Sequence, residues 1–155
     1  MTYPVDMTIK PDVSAHFDDA TNTISYIVKD PSSNHCAIID SVMDIDYAAG
    51  RITFDHADLL IAEIEKQGLK LEWIIETHVH ADYLSCARIL AEIHSCPLYL
   101  HEDTPARYEF SALTDGQVLD LDNVRVEVIH TPGHTDDSMC VLVGDALFTG
   151  DTLFV

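Results

Sequence analysis

The chain has 155 residues, of which 47% are hydrophobic, and this predicts one globular domain over residues 1–155 with a core of its own. Its 27 acidic residues outnumber its 8 Lys and Arg residues, which gives a formal net charge of −19. A surface of that charge repels phosphate backbones and anionic lipid headgroups, so we expect neither nucleic acid nor membrane as a partner.

The N-terminus lacks the basic start and apolar run of a signal peptide, and no apolar stretch reaches the length of a membrane span. We therefore expect a cytoplasmic protein. Four cysteines are scattered without C-x-x-C spacing, which indicates reduced, mostly buried thiols rather than a zinc knuckle or a disulfide framework: Cys36, Cys86, Cys96 and Cys140.

The first half of the chain begins with strands and continues as strand, loop and helix. Residues 13–40 combine β-rich runs with the turn sequences DDATN and PSSN, which predicts an antiparallel meander. An Asp-rich loop follows at 40–46, and apolar residues at helical spacing predict a helix over 55–67, before Gly68. The run LEWIIET is typical of a buried strand, HVHADYLS of a loop, and residues 84–94 of a second helix.

The second half is dominated by strands. PLYLH predicts a short strand, DG at 115–116 a turn, and the alternation in QVLDLDNVRVEVIH a hairpin. TPGHTDD follows as a loop, and the last 18 residues predict two strands joined at Gly144 and Asp145. Because strands flank helices throughout, the predicted fold class is α/β or α+β.

Candidate metal ligands lie in the loop after the buried strand. His78, His80 and Asp82 are each two residues apart, so a strand-like backbone would direct all three side chains to one side. Imidazole and carboxylate groups placed where a strand ends meet the needs of a metal site with an open mouth.

Two further candidates follow later strands. His134 lies in TPGHT, where Pro132 and Gly133 impose a tight turn, and Asp151 lies in TGDT after the final apolar run. A single His in a loop is more often a surface residue, and an Asp after Gly more often forms a turn. The three elements together favour a shared metal site. The remaining histidines are assigned to surface or core polar roles, with His130 a candidate for contact with the ligands: His16, His35, His56, His94, His101 and His130.

At these residues the chain resembles the metallo-β-lactamase superfamily, whose signature is T-H-x-H-x-D-H, then a P-G-H turn, then a G-D turn. The corresponding segments here are THVHADY, TPGHT and TGDTLF. Together with FDDATNTISYIV and AIIDSVMD, the segment THVHADYLS is most similar to persulfide dioxygenases, with glyoxalase II hydrolases the nearest alternative. The resemblance implies an αββα sandwich with the metal at the sheet edges.

The resemblance to persulfide dioxygenases implies one non-haem Fe(II) per chain, held by His78, His134 and Asp151. Such a triad leaves positions for a thiol persulfide and for O2, which would react to give sulfite and a thiol. His80 and Asp82 would lie beside the iron as weaker ligands or hydrogen-bond partners.

The sequence departs from the family pattern in two ways. Tyr83 stands where the family has a histidine, and a phenol with a pKa of about 10 is a poor ligand for a second zinc, although its hydroxyl would alter hydrogen bonding in the pocket. The family's chain also continues beyond the G-D turn, so we expect the C-terminal part of the fold to be missing and the exposed strand edges to favour a homo-oligomer.

Three functions are compatible with these features. The first is the iron persulfide dioxygenase. The second is a Zn(II)-dependent hydrolase of the glyoxalase II or lactonase type, in which Asp82 would orient or deprotonate a water molecule. The third is an inactive truncated homologue that acts through self-association.

Overall fold

A computed structural model describes residues 9–46, 48–80 and 84–153. In chain order its elements are β1 (Asp12–Asp18), β2 (Thr23–Lys29), β3 (His35–Ile39), β4 (Val42–Asp46), β5 (Arg51–Thr53), α1 (Asp55–Lys66), β6 (Lys70–Ile75), β7 (Leu84–Ser85), α2 (Ala87–His94), β8 (Leu98–His101), β9 (Ser111–Leu113), β10 (Val118–Leu121), β11 (Val124–His130), β12 (Met139–Val143) and β13 (Ala146–Phe148). A short 3₁₀ turn follows at Gly150–Thr152.

Two sheets pack face to face and form the body of the molecule. The first has six strands in the order β1-β2-β3-β6-β8-β9, and the second has four in the order β10-β11-β12-β13. The predicted antiparallel meander is confirmed by β1 to β3, and the two predicted hairpins by β10–β11 and β12–β13. Strands β3, β6, β8 and β9 run parallel, so their carboxyl ends meet at one edge of the sheet.

Alternation along the central strands divides their side chains between two cores. On β6, Ile74 faces the two helices, whereas Trp73 and Ile75 face the second sheet. On β3, Ile38 and Ile39 are divided in the same way, and all of these side chains are at most 5% exposed. Burial of each such side chain contributes about 1.5–3 kcal/mol, so this period of two is the main reason that the strands hold their register.

The prediction of an Asp-rich loop at 40–46 was wrong, because this segment contains strand β4, which pairs with β5 and with β7. Its acidic residues are used locally: Asp44 Oδ2 accepts the backbone N–H of His56 at 2.8 Å, at the start of α1. That contact satisfies one of the N–H groups that a helix leaves without an internal partner.

Both predicted helices are present, with a different start for the second. Helix α1 ends at Lys66, and Gly68 follows with a φ of +64°. Helix α2 begins at Ala87 rather than at residue 84, because residues 84–85 pair with β4 and Ser85 Oγ accepts the backbone N–H of Ala87 at 3.0 Å. Within the described part of the chain, neither helix is long and apolar enough to cross a lipid bilayer.

The helices cover only the outer face of the first sheet. On the outer face of the second sheet, Ile129 and Leu147 are 36% and 52% exposed, and no helix covers them within the described ranges. The described layers are therefore helix, sheet and sheet, which is the αββα sandwich without its last layer. Self-association through exposed strand edges stays a prediction.

One buried carboxylate joins the two sheets away from the candidate site. Asp30 follows β2, is fully buried, and accepts hydrogen bonds from the backbone and side chain of Asn123, between β10 and β11, at 2.8 and 3.0 Å. It also accepts from Ser32 N and Oγ at 2.8 and 2.7 Å. Burial alone would raise the pKa of Asp30, but these hydrogen bonds outweigh burial and lower the pKa from 3.8 to about 2.

We predict that Asp30→Ala lowers the free energy of unfolding by roughly 3 kcal/mol at pH 7, because four donors lose a charged acceptor. Since the folded-state pKa of Asp30 is lowered, its stabilisation of roughly 2 kcal/mol is complete above pH about 4 and is lost as the pH falls toward 2. Urea unfolding at several pH values measures both effects.

The control is Asp12→Ala, because the Asp12 side chain is 62% exposed and forms an ion pair with Lys29 at 3.7 Å. Its effect should stay within about 0.5 kcal/mol. Equal stability of the two variants, or an Asp30 effect that does not change between pH 7 and pH 2, would contradict the role of Asp30.

Candidate metal centre

The candidate ligands follow strands that end at the same edge of the two sheets. Asp40 follows β3 and His78 follows β6, which are parallel neighbours in the first sheet. In the second sheet, His134 follows β11 and Asp151 follows β13, and these strands run in the same direction because both are antiparallel to β12. The backbone N–H of Met139 donates to the carbonyl of Thr77 at 2.9 Å and joins the two edges.

His78, His134 and Asp151 form one cluster there, with ligand atoms within 4.8 Å of one another. Asp151 Oδ2 lies 3.4 Å from His78 Nε2 and 3.2 Å from His134 Nε2. The His78 side chain is 2% exposed, whereas His134 and Asp151 are 39% and 35% exposed. The cluster therefore has one buried wall and one side open to solvent.

Thr77 determines which nitrogen of His78 carries the proton. Its hydroxyl lies 2.8 Å from Asp40 Oδ2 and 3.0 Å from His78 Nδ1. Because the hydroxyl has one proton and the carboxylate can only accept, Thr77 donates to Asp40 and accepts the N–H of His78 Nδ1. The lone pair of His78 is thereby left on Nε2, the atom that faces Asp151.

The state of His78 fits a metal ligand. Burial lowers its pKa, and the charge of His80 lowers it further, so the ring is neutral at pH 7. Its Nε2 atom is buried and makes no hydrogen bond with any described residue. A buried lone pair beside a carboxylate and a second imidazole is unfavourable by itself, and a divalent cation bound by all three groups would remove that repulsion.

His80 belongs to a second cluster. Its Nε2 lies 3.1 Å from Glu76 Oε2 and 3.5 Å from Asp40 Oδ1, although its ring centroid is only 4.0 Å from that of His78. Burial lowers the pKa of His80, but the hydrogen bonds and charges of Asp40 and Glu76 outweigh burial and raise the pKa to about 10. Of the two histidines predicted to share one face, only His78 directs Nε2 to the cluster with His134 and Asp151.

The glycine of the G-D turn is required by close packing. Gly150 has a φ of +49°, and a methyl group on its Cα would overlap the side chain of Thr77. Asp151 can therefore lie beside His78 only because the preceding residue has no side chain. Thr152 continues the contact, since its hydroxyl lies 2.9 Å from that of Thr131 at the start of the His134 loop.

A cavity of about 460 Å³ opens beside the cluster. His78 and His80 are among its lining residues, and most of its lining surface is apolar, with contributions from Met43, Ile89 and Leu100. Arg88 and Tyr108 supply polar groups at its wall. An apolar cavity with a few polar groups next to a metal-binding cluster is typical of a small-molecule site.

Two predicted site residues, Asp82 and Tyr83, lie outside the described residues. Two others were missed by the sequence analysis, the buried carboxylates Asp40 and Glu76. The sequence contained a signal for both, because each directly follows an apolar run that forms a strand. Asp40 follows HCAII, and Glu76 follows LEWII, two residues before His78.

His101 and His130, which were assigned to structural roles, stack on each other with ring centroids 3.9 Å apart. Asp103 lies nearby, with Oδ2 3.7 Å from His101 Nδ1 and 3.8 Å from His130 Nε2. His130 Nε2 lies 2.9 Å from the carbonyl of Asp136, in the loop that carries His134. His130 therefore contacts the loop that carries His134, and its predicted contact with the ligands themselves stays a prediction.

The sequence model of a protein family described as "Metallo-beta-lactamase superfamily" matches residues 19–155 of this chain. The chain belongs to this superfamily. The superfamily's fold binds divalent metal ions, and the His78, His134 and Asp151 cluster offers the donor atoms for one.

Individual relatives are similar over nearly the whole chain. A "Beta-lactamase hydrolase-like protein" of Xylella fastidiosa (strain 9a5c) is 35% identical over 94% of this chain and 38% of its own length. "Glyoxylase B2" of Dictyostelium discoideum is 34% identical over 94% of this chain and 56% of its own length. The crystal structure of ETHE1 from Myxococcus xanthus has a TM-score of 0.80 and 27% identity over 93% of this chain and 59% of that one. The chain thus spans 38% to 59% of the length of these three proteins.

We predict that Thr77→Val weakens metal binding by about 10–100-fold, because the variant cannot accept the His78 N–H or donate to Asp40. Thr77→Ser keeps the hydroxyl and should bind within a few-fold of the wild type. Competition between the protein and a chelator for Co(II) gives the affinities. If Thr77→Val binds Co(II) as tightly as Thr77→Ser, the hydroxyl does not hold the ligand.

Proposed function

We propose that the chain is the metal-binding part of a mononuclear iron persulfide dioxygenase. The observation that carries the proposal is the donor set of the open cluster, two imidazoles and one carboxylate from His78, His134 and Asp151. Two His and one carboxylate with open positions form the facial triad of non-haem Fe(II) oxygenases. Bound Fe(II) would supply open coordination positions for the persulfide sulfur and for dioxygen.

The protein's own residues prepare this donor set. Thr77 and Asp40 hold the proton of His78 on Nδ1, so that Nε2 is available as a ligand. The partly exposed His134 and Asp151 leave an entrance on the solvent side. The apolar groups of the neighbouring cavity, such as Met43, limit water around a bound substrate.

The overall reaction balances without another reductant. A glutathione-type persulfide, dioxygen and water give the thiol, sulfite and protons, and both oxygen atoms of O2 and one from water account for the three oxygens of sulfite. The outer sulfur loses four electrons, and dioxygen takes them up. The S–S bond breaks, and its inner sulfur leaves as the thiol.

The structural similarity to ETHE1 of Myxococcus xanthus is in line with this reaction, which the sequence resemblance to persulfide dioxygenases implies. His80 is not a ligand of the open cluster, because its Nε2 contacts Glu76 and Asp40. A one-metal reaction needs only the open cluster, whereas a two-metal hydrolase would need a second donor set such as Asp40, Glu76 and His80.

A zinc-dependent hydrolase of the glyoxalase II or lactonase type is the second candidate, and the names of the two sequence relatives favour it. In that reaction, zinc would supply a water of lowered pKa for attack on an ester or thioester. Asp82 would be the residue that orients that water.

We predict that the chain loaded anaerobically with Fe(II) consumes oxygen when glutathione persulfide is added and forms one sulfite per O2. An oxygen electrode measures the O2 consumed, and a sulfite assay measures the product. His134→Ala should reduce the rate by more than about 100-fold, because one of the three ligands is lost. His94→Ala, at the end of α2, is the matched control and should keep the wild-type rate.

Hydrolysis of a glutathione thioester by the zinc-loaded chain, with no oxygen uptake by the iron-loaded chain, would contradict the dioxygenase and support the hydrolase. A chain inactive in both assays would indicate the non-catalytic homologue.

A further inference from the structure

Asp137 is a buried carboxylate between the two segments that carry His78 and His134. It lies three residues after His134, in the loop between β11 and β12, and is 2% exposed. Its Oδ2 atom accepts the backbone N–H of Val79 at 2.9 Å. Val79 lies between His78 and His80, so this hydrogen bond joins the two loops that hold the candidate ligands.

The turn between His134 and Asp137 is itself rigid. Thr135 Oγ1 lies 2.7 Å from Ser138 Oγ, and the backbone N–H of Thr135 donates to the same Ser138 oxygen at 3.1 Å. A shift of Asp137 relative to Val79 would therefore carry His134 with it. The Asp137 hydrogen bond thus connects the loop that carries His134 to the residue that follows His78.

The junction of the two sheets does not depend on Asp137. The backbone hydrogen bond from Met139 to the carbonyl of Thr77 joins the same segments at 2.9 Å and needs no side chain. Burial of a carboxylate costs free energy unless hydrogen bonds compensate. Since the backbone contact already joins the two segments, folding alone gives little reason to bury Asp137 here. What it adds is a strong, directional acceptor beside His78.

We propose that Asp137 is a positioning residue of the metal centre, which holds the His134 loop at ligand distance from His78 through Val79. The proposal rests on the metal centre proposed above. Residues that orient ligands without contacting the metal typically change metal affinity by about 10–100-fold when they are replaced. Asp137 should therefore affect metal affinity and coordination geometry more than it affects folding.

The test compares Asp137→Ala, Asp137→Asn and Asp115→Ala in the full chain, with Co(II) alone as the probe. Asp115 Oδ1 accepts the backbone N–H of His130 at 2.8 Å, at the end of the same strand, but does not join the two ligand segments. Chelator competition gives the Co(II) affinity, and the visible absorption spectrum of bound Co(II) reports the ligand geometry. Thermal unfolding of the metal-free variants defines a temperature at which all of them are folded.

We expect Asp137→Ala to bind Co(II) about 10–100-fold more weakly than the wild type, with an altered Co(II) spectrum. Asp137→Asn keeps an acceptor oxygen and should restore the wild-type spectrum and most of the affinity. Asp115→Ala should match the wild type in both measurements. If Asp137→Ala does not fold, the Co(II) affinity of a folded Asp137→Asn variant decides. An affinity equal to that of the wild type supports the proposal, and a 10-fold or greater loss of affinity overturns it.

The outcomes separate this inference from the proposed function. If the wild type and Asp137→Ala bind Co(II) with the same affinity, the proposed role of Asp137 is overturned but the metal centre is not. Equal weakening by Asp137→Ala and Asp115→Ala also overturns it, because the effect would then be general to the loop. A wild-type chain that binds neither Co(II) nor Fe(II) overturns the metal centre and this inference with it.

Discussion

The carboxylate of Asp40 is the contact on which the arrangement of the site depends. It is buried at the end of β3 and accepts both the backbone N–H and the hydroxyl of Thr77, at 2.7 and 2.8 Å. Burial would raise the pKa of Asp40, but contacts with His80 and Thr77 outweigh burial and lower the pKa, so the group is charged. A charged Asp40 accepts the hydrogen bond of the Thr77 hydroxyl, which then accepts the N–H of His78 Nδ1 and leaves Nε2 as the atom available to a metal.

The Asp40 carboxylate also gives the two histidines of the H-x-H segment different protonation states. His78 contacts Asp40 through the Thr77 hydroxyl and stays neutral, whereas His80 faces Asp40 and Glu76 directly and takes a proton. Because the acidic groups are buried, water screens their charges only weakly, and small differences in position produce opposite pKa shifts. The open cluster therefore includes His78 and not His80.

Much of the fold could be predicted from local patterns, because alternation along the β-strands and turn residues between them reflect burial directly. The segment at 40–46 could not, since acidic residues usually mark loops, whereas Asp44 here caps α1 from a strand. His78, His134 and Asp151 could be named because each follows a strand. The contacts of Asp40, Glu76 and Asp137 could not, because they join residues 35 to 58 positions apart.

The measurement that tests this account most directly is the metal content of the chain after anaerobic purification without chelators. One open donor set of two imidazoles and a carboxylate predicts about one iron per chain, retained by the wild type and lost from Asp151→Ala. Two zinc ions per chain, or an iron content that Asp151→Ala leaves unchanged, would contradict it.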